Sequence, residues 1–168
     1  MGKYPQEQGL VSTEEAKEIT GEHRFCRDLE WGIDRGSKED RTEQVFSCGS
    51  PVEDASGFSV QGLWVGGCYT FGKRTMRQKL LFTLERNNKK FGQRERVVQI
   101  DVRSPVNRKG GKTDLNWPHV HFGQEREPLD GDVKDKEIDV EKAISIFEDR
   151  SNIEFDLNPG DPNKLVLV

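Results

Sequence analysis

Two of the three histidines in this 168-residue chain, His119 and His121, stand two apart in the run Trp117-Pro-His-Val-His-Phe-Gly123. In an extended segment that spacing puts both imidazoles on one face and leaves Val120 and Phe122 on the other. If the apolar pair faces a core, the imidazoles face a cleft or solvent. Such a pair can bind one metal ion, or can serve as acid and base in phosphodiester cleavage while Arg or Lys stabilises the phosphorane charge. A metal would need a third ligand, for which Asp114 and Asp101 are nearest in sequence and His23 is an option. The spacing alone equally suits paired histidines on a polar sheet face or within a binding surface.

The basic residues that either phosphate chemistry requires lie close by. Between residues 73 and 112 there are 13 Lys and Arg against 3 acids, whereas residues 1–72 and 125–161 are both acidic and bring the chain to a net charge of -4. Arg74, Arg77, Lys79, Arg94, Arg96, Arg103, Arg108, Lys109 and Lys112 form the candidate nucleic-acid footprint. The same polarity would arise if the acidic tail packed over a basic sheet, or if the cations blunted exposed strand edges.

Cys26, Cys48 and Cys68 are odd in number and widely spaced, which argues against a disulfide framework and for a reducing compartment. His23 with these cysteines has the donor types of a zinc site, but only His23 and Cys26 are close in sequence. The alternative is three small, half-buried strand residues. Phosphate-loop and dinucleotide fingerprints are absent, as is a serine nucleophile elbow, so no cofactor is implied.

The elements that must position these residues are legible as short alternating runs. With 32% apolar and 33% charged residues and a mean hydropathy of -0.82, the chain predicts one thin-cored domain over residues 1–168, with residues 1–11 as a mobile tail. No apolar leader, membrane span or myristoylation pattern is evident, so the expected location is the cytoplasm.

Ser12-Thr-Glu-Glu15 has the spacing of a capping box and predicts a helix over residues 13–21. Strands are expected near residues 25–32, 43–48 and 58–65. Leu80, Phe82 and Leu84 share one strand face, as do Val98, Ile100 and Val102, and the turn formers of residues 87–93 join the two strands as a hairpin. Asp139 caps a helix whose Val140, Ala143, Ile144 and Phe147 form one stripe. Ile153, Phe155 and Leu157 alternate as a strand, and residues 165–168 add an edge strand. The expected class is therefore α+β: a mainly antiparallel sheet with a short N-terminal helix and a C-terminal amphipathic helix packed on it.

Several of these features together resemble a family. The run Val98-Gln-Ile-Asp-Val, a loop with Pro105, Asn107 and a glycine, then Trp-Pro-His-Val-His-Phe and a helix ending at Asn152-Ile153 resemble an uncharacterised bacterial and phage-borne domain of unknown function. Members of that family carry a Pro-His-x-Asn loop followed by Pro-His-Ile-His-Tyr. This chain has Pro-Val-Asn in the loop, so His119 and His121 are the matched positions and a third histidine is missing. The resemblance covers about the second half of the chain and implies mobile elements and their conflicts as the context.

Two functions follow as expectations. One is a nucleic-acid-binding or nucleic-acid-cleaving protein, most concretely a toxin-type ribonuclease using His119 and His121. The other is a non-catalytic inhibitor or adaptor that binds a host-defence or nucleoprotein partner. Neither involves a membrane, and the oligomeric state is left open.

Overall fold

In the computed structural model, residues 11–33, 43–88, 92–104, 118–129 and 138–166 are described. Helix α1 (Thr13–Thr20) precedes strands β1 (Arg24–Cys26), β2 (Gly32–Ile33), β3 (Glu43–Glu53), β4 (Ser59–Gly72), β5 (Gln78–Asn88), β6 (Gln93–Arg103), β7 (His119–Phe122) and β8 (Glu125–Pro128). Helix α2 (Val140–Ser151), strand β9 (Ile153–Phe155) and a 3-10 turn (Pro162–Leu165) follow. The expected hairpin is present as β5 and β6, paired antiparallel.

The strands form one sheet in the order β8-β7-β6-β5-β4-β3-β1-β9, with β2 pairing β3 to the side. All neighbours are antiparallel except β1 and β9.

The α+β expectation is overturned. Among the described residues strands make up 51% and helices 20%, and the sheet curls into a half-barrel. The local helix signals were sound, but each codes for a short segment, while β3 and β4 run to 11 and 14 residues and dominate the fold. Long strands twist, and accumulated twist curls a sheet.

The direction of the curl follows from Phe82. It lies on β5, three strands from β1 and four from β9 in the sheet order, yet its ring centroid is 5.7 Å from that of Phe155 on β9. Trp31 at 5.7 Å and Phe147 of α2 at 5.8 Å complete the cluster. Only a sheet curled toward the Phe82 face can bring its far edge back to that ring. The face carrying Leu80, Phe82 and Leu84 is therefore concave and holds the core, with Val140, Ala143, Ile144 and Phe147 of α2 buried. Burying these large apolar and aromatic side chains is the main stabilising term.

Both helix caps form as their sequences dictate. Ser12 Oγ accepts the Glu15 N–H at 3.1 Å, and Asp139 Oδ1 accepts the Lys142 N–H at 3.0 Å. Asn152 ends α2 in the left-handed conformation at φ 57°. Two expectations are corrected. Val11, placed in the tail, is buried and donates its N–H to Arg96 O at 3.4 Å, and residues 1–10 lie outside the described residues. Where a last strand was expected, Leu165 ends the 3-10 turn and residues 167–168 are not described. Among the described residues no helix is long and apolar enough to cross a membrane.

Candidate functional site

The strand register fixes which side chains share the convex face. Across β3, β4, β5, β6, β7 and β8 one row reads Gly49, Gly66, Thr83, Gln99, His121, Arg126. The next row reads Ser47, Cys68, Leu81, Asp101, His119, Pro128. A third contains Val45, Thr70, Lys79 and Arg103.

On the other side of the histidine row, β6 departs from simple alternation. The register shifts at Leu84/Glu85, so that Leu84 pairs Val98 while Glu85 pairs Arg96. Val97 is the extra, buried residue of a β-bulge. In a regular strand Arg94 and Arg96 would share the core face with Val98 and Ile100. The bulge turns them onto the convex face, in the row Pro51, Trp64, Glu85, Arg96 and just beyond it.

His119 and His121 do lie together on the face opposite Val120, as the alternation predicts. Their Nε2 atoms are 3.0 Å apart and the rings are edge-on, 4.6 Å between centroids. The expected exposure is not found for His119, which is 3% exposed and has Asp101 Oδ2 3.9 Å from its Nε2. Burial, aided by the neighbouring Arg96, His119 and Arg126, pushes His121 down to about 3, so its imidazole is neutral at physiological pH.

A hydrogen bond between two imidazole nitrogens requires one to donate and the other to accept. Each ε nitrogen is thus engaged with the other. Acid and base of an in-line displacement instead stand on opposite sides of phosphorus, each within reach of its own oxygen. Beside the pair, Arg96 Nη1 donates to Gln99 Oε1 at 3.2 Å, and Gln99 Nε2 donates to Thr83 Oγ1 at 2.8 Å.

The basic residues divide between two ends of this face. Arg74 and Arg77 are exposed in the β4–β5 turn, and Lys79 and Arg103 lie side by side in the adjoining row. Arg103 Nε is 3.2 Å from Asp101 Oδ1. At the other end Arg96 is half-buried, and burial lowers its pKa. Arg94 is exposed, 3.6 Å from Glu85 Oε2. Arg108, Lys109 and Lys112 lie outside the described residues, as does Asp114.

His23 does not approach the cysteines as a zinc ligand. Its Nδ1 is 3.0 Å from Asn152 Oδ1 and its Nε2 3.0 Å from Glu154 Oε2, contacts that raise its pKa. Burial raises the Cys26 thiol to about 11 and the Cys48 thiol to about 12. Among the described residues no three His, Cys, Asp or Glu side chains assemble as a metal site.

Three members of the face were not singled out in the sequence. Gln99 is a connector between strands, visible only through the register. Arg126 is hidden in an acidic segment. Trp64 could have been found, because Leu63 and Val65 facing inward require it to face outward. No family model, curated protein or solved structure matches the chain.

Proposed function

We propose that this chain is a cytoplasmic, non-catalytic nucleic-acid-binding protein that holds a phosphate backbone on the convex face of its sheet. The observation that carries this reading is the shared face itself: among the described residues, Lys79, Arg94, Arg96, Arg103 and Arg126 against Glu43, Glu85 and Asp101. From Arg103 to Arg96 the cations span roughly 20 Å along β6, enough for several nucleotides. The basic turn with Arg74 and Arg77 extends the track at one end.

Among the described residues, the acids of the helices belong to other surfaces. Glu141, Glu148 and Asp149 belong to α2, which packs in the concave side, and Glu14 and Glu18 belong to α1. Arg86 pairs with Glu15 and Arg27 with Asp156 away from this face, while on it Arg94 stands 3.6 Å from Glu85 and Arg103 3.2 Å from Asp101. The mutual engagement of His119 and His121 favours binding over cleavage, and the thiol state of the three cysteines suits a reducing compartment. The mobile-element context implied by the resemblance fits a small binder of this kind.

Anisotropy of a labelled single-stranded RNA tests the reading. Wild-type protein should bind in low salt and leave the strand intact. The Arg74→Ala/Arg77→Ala/Lys79→Ala variant, altered at positions that carry no core packing, should bind about tenfold or more weakly while keeping its thermal melting point. Cleavage by the wild type that disappears in His119→Ala/His121→Ala would replace binding with the ribonuclease function. Absence of binding at low salt would favour a protein partner instead.

A further inference from the structure

On the convex face, Trp64 differs from its neighbours. It is the aromatic residue of its row, and its indole leans over the backbone of β3 instead of standing up from the sheet. A Cβ on Gly49 would fall 2.7 Å from Trp64 Cζ2, 2.9 Å from Nε1 and 3.0 Å from Cε2, all closer than atoms tolerate. One on Gly66 would be 3.9 Å from Trp64 Nε1. The missing side chain at Gly49 is thus what admits the ring, and Gly66 borders it on its own strand.

A cation caps the ring. Arg94 lies over the indole with its guanidinium carbon 6.0 Å from the ring centroid. Direct stacking needs a separation of roughly 3.5–4 Å, and two such contacts, one on each side of an inserted planar group, need about 7 Å. The Arg94 side chain is 68% exposed and 3.6 Å from Glu85 Oε2, so it can swing outward to admit a planar group against the indole. Indole below and guanidinium above are the partners that a nucleobase uses when it is not stacked in a duplex.

We infer that Trp64 and Arg94 form a base-stacking subsite, so that the protein takes an unpaired base of single-stranded nucleic acid between indole and guanidinium. This rests on the proposed binding function and adds its substrate class. Stacking is tolerant of sequence, since every base presents a π face, so the subsite would select strandedness more than base identity. A duplex could still touch the cations, but its bases are paired and stacked on each other.

The test uses the full chain and three labelled probes of about 12 nucleotides: a single strand, the same strand without bases, and the duplex. Wild-type protein should prefer the intact single strand over the abasic one by about tenfold. In Trp64→Leu that preference should vanish, with abasic and duplex affinities unchanged within about twofold. Trp64→Phe, which keeps a π face and suits the glycine floor, should retain most of the preference. Binding should quench tryptophan emission in the wild type and not in Trp64→Phe, a readout that does not depend on how Trp64→Leu folds. Equal affinity of the wild type for intact and abasic strands would overturn the subsite while leaving backbone binding in place. Failure to bind any of the three probes at low salt would overturn the binding function and the subsite with it.

Discussion

His121 shows how a residue chosen for its reactivity can be held out of it. Arg96 and Arg126 face it from the two neighbouring strands, His119 adjoins it on its own strand, and burial removes water; each opposes protonation. The folded pKa of about 3 lies below the usual 6.5, so between those values the unfolded chain takes up a proton that the folded chain does not. Stability is therefore highest above about pH 6.5 and declines as pH falls toward 3. His23 has the opposite sign: its raised pKa adds stability at low pH that is lost as pH rises through its folded value. Urea midpoints measured across this range should show a shallower acid decline in His121→Gln than in the wild type. An unchanged decline would mean that His121 titrates normally. With a neutral His121, RNA affinity should also stay flat between about pH 5 and 8, whereas a histidine pair recruiting phosphate by charge would bind more tightly in acid.

At the scale of elements, the attachment of α1 depends on Gly123, which follows β7. Its φ of +56° disfavours any side chain, and a Cβ there would stand 2.6 Å from Thr13 Cα and 2.8 Å from Ser12 O. Helix α1 therefore begins directly against this turn. Gly123→Ala should cost about 2–4 kcal/mol, combining left-handed strain with overpacking, and urea unfolding would measure it. A loss under about 1 kcal/mol would show that α1 can move aside.

Much of this level was legible in the sequence because its signals are local. The Ser12 and Asp139 caps, the α2 stripe, the β5–β6 hairpin and the shared face of His119 and His121 each depend on residues within a few positions of one another. What escaped depends on distant partners. Nothing near Val97 announces the bulge that turns Arg94 and Arg96 outward, since Val97 and Val98 are simply two consecutive apolar residues. Likewise, the parallel pairing of Arg24 with Ile153 joins positions far apart in the chain, and the curl exists only once that pairing closes over Phe82.

At the scale of the whole molecule, the proposed binding asks a chain of net charge -4 to hold a polyanion, which it could do only through a local excess of cations on one surface. Among the described residues, α2 carries acids and packs on the concave side, and the long strands carry more cations than acids on the convex side. This separation makes a quantitative demand on salt dependence. Each phosphate contact on a single strand contributes about -0.7 to the slope of log K against log salt. If four or five cations of the convex face and its basic turn engage phosphates, the slope should be about -3. Removing Arg74, Arg77 and Lys79 should make it shallower by up to about 2, whereas Trp64→Leu should lower affinity without changing it, because stacking releases no counterions. A wild-type slope near zero would mean that the sorted charges meet no backbone, and that the convex face serves a partner recognised by shape.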